Sequence, residues 1–342
     1  MAQNQTSRFA CYCFFVLNYS VRRFFQGLLV LLVVSFVTFL LPALMPGNIA
    51  RALLGNHATQ AAVNQFVHER GLDQPFVVQY WHYMVNLVHG NLGTSLGAVT
   101  LDQPVAQVIG PYIPRTLWLV SGSLVFSVVI SVLIGMFQGI KRNSLFDHTM
   151  TFIIFVLFSF PAFLFSMLSI IFFSLTLHWF PPSIDSPTAN GFWSPLQQMI
   201  SSPAQFALPL MTLTVLGIGG LTRFMRGSIL DTMVQDYVRT ARAKGCSPNR
   251  VLFRHAFRNA VMPLITILGL SLPGLFGGAL ITEQVFNYPG MGQLTVQATN
   301  GRDVPVVMAL TLIVTVTTVL GNMLADIGIA FADPRIRLSG RR

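Results

Sequence analysis

Charge is what this sequence has least of. Lys, Arg, Asp and Glu make up 9% of its 342 residues, against about 25% in a typical soluble domain, which excludes a fully water-solvated surface. Lysine is nearly absent, with only Lys141 and Lys244, and neither follows a glycine. A phosphate-binding loop ends in Gly-Lys-Ser/Thr, so that backbone N–H groups hold phosphates while the lysine reaches the β/γ oxygens. The chain has no nucleotide site of that kind. Cysteine is scarce too: Cys11, Cys13 and Cys246 cannot build a disulfide framework. Cys11-x-Cys13 reads as an incidental pair, because no second pair or nearby histidine completes four zinc ligands. The seven histidines are scattered over unrelated segments and read as ordinary polar residues. No His-Glu-x-x-His pair is present, so the usual zinc-site pattern is missing, and the chain reads as no enzyme on its own.

Apolar residues fill the space. They make up 53% of the chain, mean hydropathy is +0.63, and they come in runs of about 20, enough to cross a ~30 Å hydrocarbon core at 1.5 Å per residue. Six runs stand out: Phe24–Met45, Thr116–Ile140, Thr149–Leu177, Leu208–Thr222, Met262–Val285 and Val304–Ala330. The expected fold is an all-α polytopic membrane protein with six transmembrane helices in a lipid bilayer, without internal repeats. The fourth run is short and Gly-rich, so its ends are the least defined.

The net charge of +10 invites a nucleic-acid reading, but the placement of the charge answers it. All but four of the 21 Lys and Arg residues fall before the first run, between runs two and three, between runs four and five, or after the last. The four others are Arg51, Arg70, Arg115 and Arg302. Basic residues stay on the cytoplasmic side, so both termini are expected there, and no nucleic-acid partner is needed. Residues 1–23 read as a cytoplasmic lead-in rather than a cleavable signal. Phe9–Tyr19 is short, Arg22-Arg23 follows it, and no small-residue cleavage site comes at the usual distance. An interfacial helix and a frayed tail both fit this stretch.

After the first span, residues 24–45, an external segment of residues 46–115 is long enough to hold its own structure. Gln74-Pro75 looks like a helix start, and Phe76, Val77, Tyr80, Trp81, Met84, Val85 and Val88 then recur as one amphipathic face. Such a helix lies in the membrane interface or packs on the ends of the spans, and packing is the favoured reading. The second external segment, His178–Phe206, is rich in proline and reads as an irregular cap. Residues 116–330 form the remaining five-helix core, and 331–342 a cytoplasmic tail.

A secondary porter keeps an ionisable residue near mid-membrane. The runs hold almost none: Glu283 sits at one end of the fifth run and Asp326 toward the end of the sixth, and both read as interfacial. The energy source must be another polypeptide.

The cytoplasmic loop 223–262 is the most specific stretch. Helix formers fill Gly227 to Lys244, Gly245 supplies a terminator, and Ser247-Pro248 restarts a helix with Ser as N-cap and Pro at N1. Ala241, Ala243 and Gly245 keep side chains small around the break, as a docking surface for a soluble partner would.

The loop resembles the cytoplasmic coupling loop of ABC-importer permeases, whose motif reads Glu-Ala-Ala, three residues, Gly. Arg239-Thr240-Ala241 stands in the triplet and Gly245 at the glycine, so Glu is replaced by Arg and the first Ala by Thr. Those departures are similar to the dipeptide/oligopeptide (peptide/nickel) branch, as are Asp236 to Gly245, Arg254-His255-Ala256-x-Arg258-Asn259-Ala260, Gly71-Leu72-Asp73-Gln74-Pro75, Gly90-Asn91-Leu92-Gly93-Thr94-Ser95, Thr282-Glu283 with Tyr288-Pro289-Gly290-Met291-Gly292, and Asp333-Pro334-Arg335-Ile336-Arg337. The likeness covers residue 20 to the C-terminus and points to the first of the two permease types.

The resemblance implies a non-catalytic permease subunit of an ATP-driven importer for di- or oligopeptides, in a bacterial or archaeal cytoplasmic (inner) membrane. Its implied partners are a second homologous permease, two ATPase subunits or domains that carry ATP and Mg, and an extracytoplasmic substrate-binding protein. The chain itself is expected to bind no cofactor and no metal. Contact with the ATPase is implied for Asp236, Tyr237, Arg239, Thr240, Ala241, Arg242, Ala243, Lys244, Gly245, Cys246, Ser247 and Pro248. In the fifth run Pro273, Gly274, Gly277, Gly278 and Glu283 are candidates for a hinge or pathway, with close helix packing through small residues equally open. A nickel chelate or another small solute is the alternative substrate, and a stand-alone secondary porter the alternative function.

Overall fold

A computed structural model describes residues 22–23, 25–40, 59–69, 71, 73–97, 100–184, 191–271, 274 and 279–332. The helices, in chain order, are α1 (Phe25–Leu40), α2 (Gln60–Glu69), α3 (Phe76–Val88), α4 (Val105–Ile109), α5 (Tyr112–Ile140), α6 (Leu145–Ser159) and α7 (Ala162–Ser169), which continues as a π-helix over Ile170–Thr176. There follow α8 (Ser194–Ser201), α9 (Pro203–Met233), α10 (Asp236–Ala243), α11 (Pro248–Arg250, Val251–Ala256 and Phe257–Ala260 together), α12 (Met262–Ser271), α13 (Leu280–Val285), α14 (Met291–Asn300) and α15 (Val304–Ala332). Among the described residues β pairing is limited to one isolated bridge, Thr94 with Pro104. The chain forms two compact units, residues 1–113 with 293–342, and residues 114–292.

Three described helices are long and apolar enough to cross a bilayer. In the stretch 105–140 only 22% of the most apolar window is buried, so most of its apolar surface is left for lipid or partner subunits. The first apolar run is described as α1; Phe24 and residues 41–45 lie outside the described residues, as do the lead-in up to residue 21 and the tail 333–342.

The third run is not one rod. α6 and α7 meet at 101°, because Pro161 has no N–H to continue the ladder and forces the residue before it out of helical geometry; Phe160 sits at φ −72, ψ 130. The fourth run, by contrast, is longer than its apolar stretch. α9 has 31 residues and carries Pro209 within it. The fifth is described in two pieces, α12 and α13, with Pro273, Gly277 and Gly278 outside the described residues.

In the first unit α3 packs its aromatic edge on α1. Phe36 and Phe39 meet Phe76 and Tyr80 with ring centroids 5.3–5.9 Å apart, Phe39 stacks on Tyr83 at 5.5 Å, and the Ser35 and Tyr80 hydroxyls are 2.9 Å apart. Burial pushes the Tyr83 phenol up to about 12. The amphipathic face read from the sequence splits here, for Val77, Trp81 and Val88 stay exposed. In the same unit Asp303 starts α15 and accepts hydrogen bonds from the backbone N–H groups of Leu96 and Gly97, both at 3.0 Å, and from the Ser95 hydroxyl. That carboxylate holds the Ser95–Gly97 stretch, which follows Gly90 and Gly93 at φ +77 and +84.

The second unit is zipped by small residues. Ser123, Ser127, Ser131, Gly135 and Gly139 recur every four positions on α5, which places them on one face. The Ser127 and Ser131 hydroxyls donate to the Thr214 and Ile218 carbonyls of α9 at 3.0 and 3.3 Å. A Cβ on Gly135 or Gly139 would lie 2.8 Å from the Met225 or 2.4 Å from the Ile229 side chain, so the helices approach closely only because these positions are bare.

Candidate functional site

The loop after α9 folds into a helical hairpin with a core of its own. Val238, Ala241, Val251 and Ala256 are buried together, with Met233 and Cys246 packed beside them. Helix formers run on to Lys244, yet the chain breaks at Val234 and Gln235, the latter at φ −69, ψ 149. That break is what lets Val238 and Ala241 face Val251 and Ala256. At the far end of α10 the Cys246 N–H donates to the Ala241 carbonyl at 3.2 Å and the Gly245 N–H to the Arg242 carbonyl at 2.9 Å. With Gly245 at φ +75 this is a Schellman cap, the arrangement that favours glycine at this position. Pro248 sits at N1 of α11, as expected, but Ser247 makes no side-chain capping bond.

The sequence-derived docking residues therefore divide. Asp236, Tyr237, Arg239, Thr240, Arg242, Ala243, Lys244, Gly245, Ser247 and Pro248 are exposed, and Cys246 is half-buried with a free thiol. Ala241 is only 6% exposed, so its small side chain serves the hairpin's own core and not the approach of a partner. Gly245 needs its conformation rather than its size, since a Cβ there would meet nothing within 4 Å. Arg239 lies 3.8 Å from Asp236 with both side chains largely exposed, a pair that adds little stability.

Two links that the sequence reading did not single out join the hairpin's root to the helices around it. The Arg226 guanidinium on α9 donates in a fork to both Asp147 carboxylate oxygens, each at 2.7 Å, and the Asn143 N–H donates to the same carboxylate at 3.0 Å. The Ser228 hydroxyl donates to the Ala260 carbonyl at 2.7 Å, tying α9 to α11.

Glu283 is fully buried within the protein and accepts from the Thr116 hydroxyl at 2.9 Å and the Gly292 N–H at 2.7 Å, while Thr116 accepts from the Met291 N–H at 2.7 Å. The Tyr288 hydroxyl donates to the Arg115 carbonyl at 2.7 Å. Burial first, and the nearby Glu283 carboxylate second, push that phenol up, so it stays a neutral donor. The Tyr288–Gly292 turn is thus built around a carboxylate, which explains its glycines. The Asp326 side chain and Pro273, Gly277 and Gly278 lie outside the described residues, and Gly274 is exposed.

Residues 131–338, which include α9 to α13 and the hairpin, match the family described as binding-protein-dependent transport system inner membrane component. The chain belongs to that family. Residues 16–107 match the N-terminal part described for such membrane components. The permease is 37% identical over 318 residues to the oligopeptide transport system permease protein AppB of Bacillus subtilis, covering 93% of this chain and 98% of that one. It is 36% identical over 322 residues to the glutathione transport system permease protein GsiC of Escherichia coli, covering 94% and 99%. A peptide transport system permease protein of Brucella abortus is 38% identical over 322 residues, covering 93% and 98%. The chain is a multi-pass, non-catalytic permease subunit of an ABC import system, which works with an ATPase and a substrate-binding protein.

Proposed function

We propose that this permease forms half of a pathway for di- or oligopeptides and that an ATPase partner grips it at the hairpin 236–248. The peptide reading rests on relatives named for oligopeptides, peptides and glutathione. The coupling reading rests on one observation: the hairpin has its own core and presents Arg239, Arg242, Lys244 and the Gly245 turn outward. In this assembly a second homologous permease faces the first, two ATPase subunits or domains carry ATP and Mg, and the binding protein delivers substrate from outside. The complex sits in a bacterial or archaeal cytoplasmic membrane with both termini inside. Closure of the ATPases pushes the hairpin, and the Arg226–Asp147 and Ser228–Ala260 links pass that push to α6, α9 and α11, a two-state movement biased by nucleotide. Gly274 and its neighbours Pro273, Gly277 and Gly278 then serve as hinge or pathway, and Glu283 as a fixed tie rather than a pathway lining.

Two variants at one position test the coupling. A β-branched side chain at φ +75 costs about 1–2 kcal/mol, whereas asparagine tolerates that conformation. Gly245→Val is expected to abolish substrate-stimulated ATP hydrolysis in the reconstituted complex, and Gly245→Asn to keep it. Wild-type stimulation in Gly245→Val would defeat the reading. Orientation has its own test in a cysteine-free chain: His57→Cys is expected to react with an impermeant thiol reagent added outside, and Asn249→Cys only after the membrane is opened. The reverse pattern would invert the topology.

A further inference from the structure

The outer face of α3 has no role so far, and its chemistry is unusual for a segment expected outside the membrane. α3 carries no Lys, Arg, Asp or Glu from Phe76 to Val88. One side is accounted for by α1, through Phe76, Tyr80 and Tyr83. On the other side Val77 is 75% exposed, Trp81 67% and Val88 81%. Gln79, His82 and Asn86 share the remaining arc, so the outer face is uncharged and half apolar, unlike the charged face of a water-solvated surface helix.

Its depth follows from what it touches. The α1 residues that meet α3 are Ser35, Phe36 and Phe39, and they lie within the first apolar run rather than beyond it. Ser35 is about 15 Å along the helix from Phe25 at 1.5 Å per residue. Val33 and Val37, which flank Ser35 along α1, are exposed at 53% and 47%, as expected of a helix facing lipid. The exposed side of α3 thus continues a lipid-facing surface at the same level. Tryptophan and tyrosine are the side chains that collect where acyl chains meet headgroups.

We propose that α3 is embedded in the bilayer, with Val77, Trp81 and Val88 against lipid at the headgroup–acyl boundary of the half nearer the C-terminal end of α1. It acts as a membrane-lying buttress of the first span. The chemistry it fits is a lipid surface, and no soluble partner is needed to cover it.

Spin-label depth measurements on the assembled, ATP-hydrolysing complex in lipid nanodiscs test this. Labels are placed one at a time, through Val77→Cys, Trp81→Cys and Val88→Cys, in a chain carrying Cys11→Ser, Cys13→Ser and Cys246→Ser. Leu29→Cys is the lipid reference and Asn64→Cys on α2 the water reference. Collision rates with oxygen and with a water-soluble nickel chelate are expected to place all three labels about 5–10 Å below the lipid phosphates, on the Leu29 side of the scale. Nickel accessibility equal to that at Asn64 would overturn the proposal by putting the face in water. Low accessibility to both reagents would overturn it by showing a protein cover. Three positions on one exposed face guard against a single label that disturbs folding.

Discussion

Gly292→Ala is expected to cost the assembled complex most of its yield, and what survives to lose thermal stability. The added Cβ would lie 2.5 Å from the Leu280 Cα, 2.9 Å from the Leu280 N and 2.9 Å from Glu283 Oε2. Two of those atoms are backbone, so no side-chain rotation relieves the clash, and the penalty belongs at or above the top of the usual overpacking range of about 1–3 kcal/mol. Relief by moving the turn would break the Gly292 N–H bond to the buried Glu283 carboxylate, a loss of about 1.5–3 kcal/mol more for a hydrogen bond to a charged group. Gly220→Ala is the matched control, because a Cβ there meets nothing within 4 Å and alanine is the better helix former by about 1 kcal/mol. Size-exclusion yield and thermal inactivation of the detergent-solubilised complex read both variants. Equal behaviour of the two would show that the turn is not packed as described.

Arg226→Ala is expected to destabilise the same complex by about 3 kcal/mol, the low end for a broken buried pair, because the Arg226 side chain keeps 30% exposure while Asp147 has 2%. The loss comes less from the vanished attraction than from a carboxylate left in place without its fork of donors. The double variant Asp147→Leu with Arg226→Met should recover much of that stability, since a packed apolar pair removes both desolvation penalties. If the pair also carries motion from the hairpin, the double variant will be stable yet poorly coupled, with ATP hydrolysis no longer stimulated by substrate. A double variant no more stable than Arg226→Ala would show that the ion pair is not where the energy lies.

How far each part could be read in advance depends on how local its cause is. The existence of the apolar helices was legible because a span is a length and a composition, both one-dimensional. So was the end of α10, where Gly245 supplies the left-handed residue of a cap and Pro248 restarts the helix. The break at Val234 and Gln235 was not, since neither residue is a breaker; it exists so that Val238 and Ala241 can reach Val251 and Ala256. Pro161 was visible as a proline, but whether it kinks a rod or turns the chain by 101° depends on what the next helix packs against. Asp303 carried a readable signal that went unused, an N-cap residue two places before Pro305.

The apolar helices and the class of machine were thus inherent in the order of residues, because burial in lipid is felt by each segment independently. The pairings Arg226–Asp147, Glu283–Thr116 and Asp303–Ser95, and the bare glycines that make room for them, belong to the folded chain. Each joins residues far apart in sequence, and a buried polar group acquires its meaning only from the partner that folding brings to it.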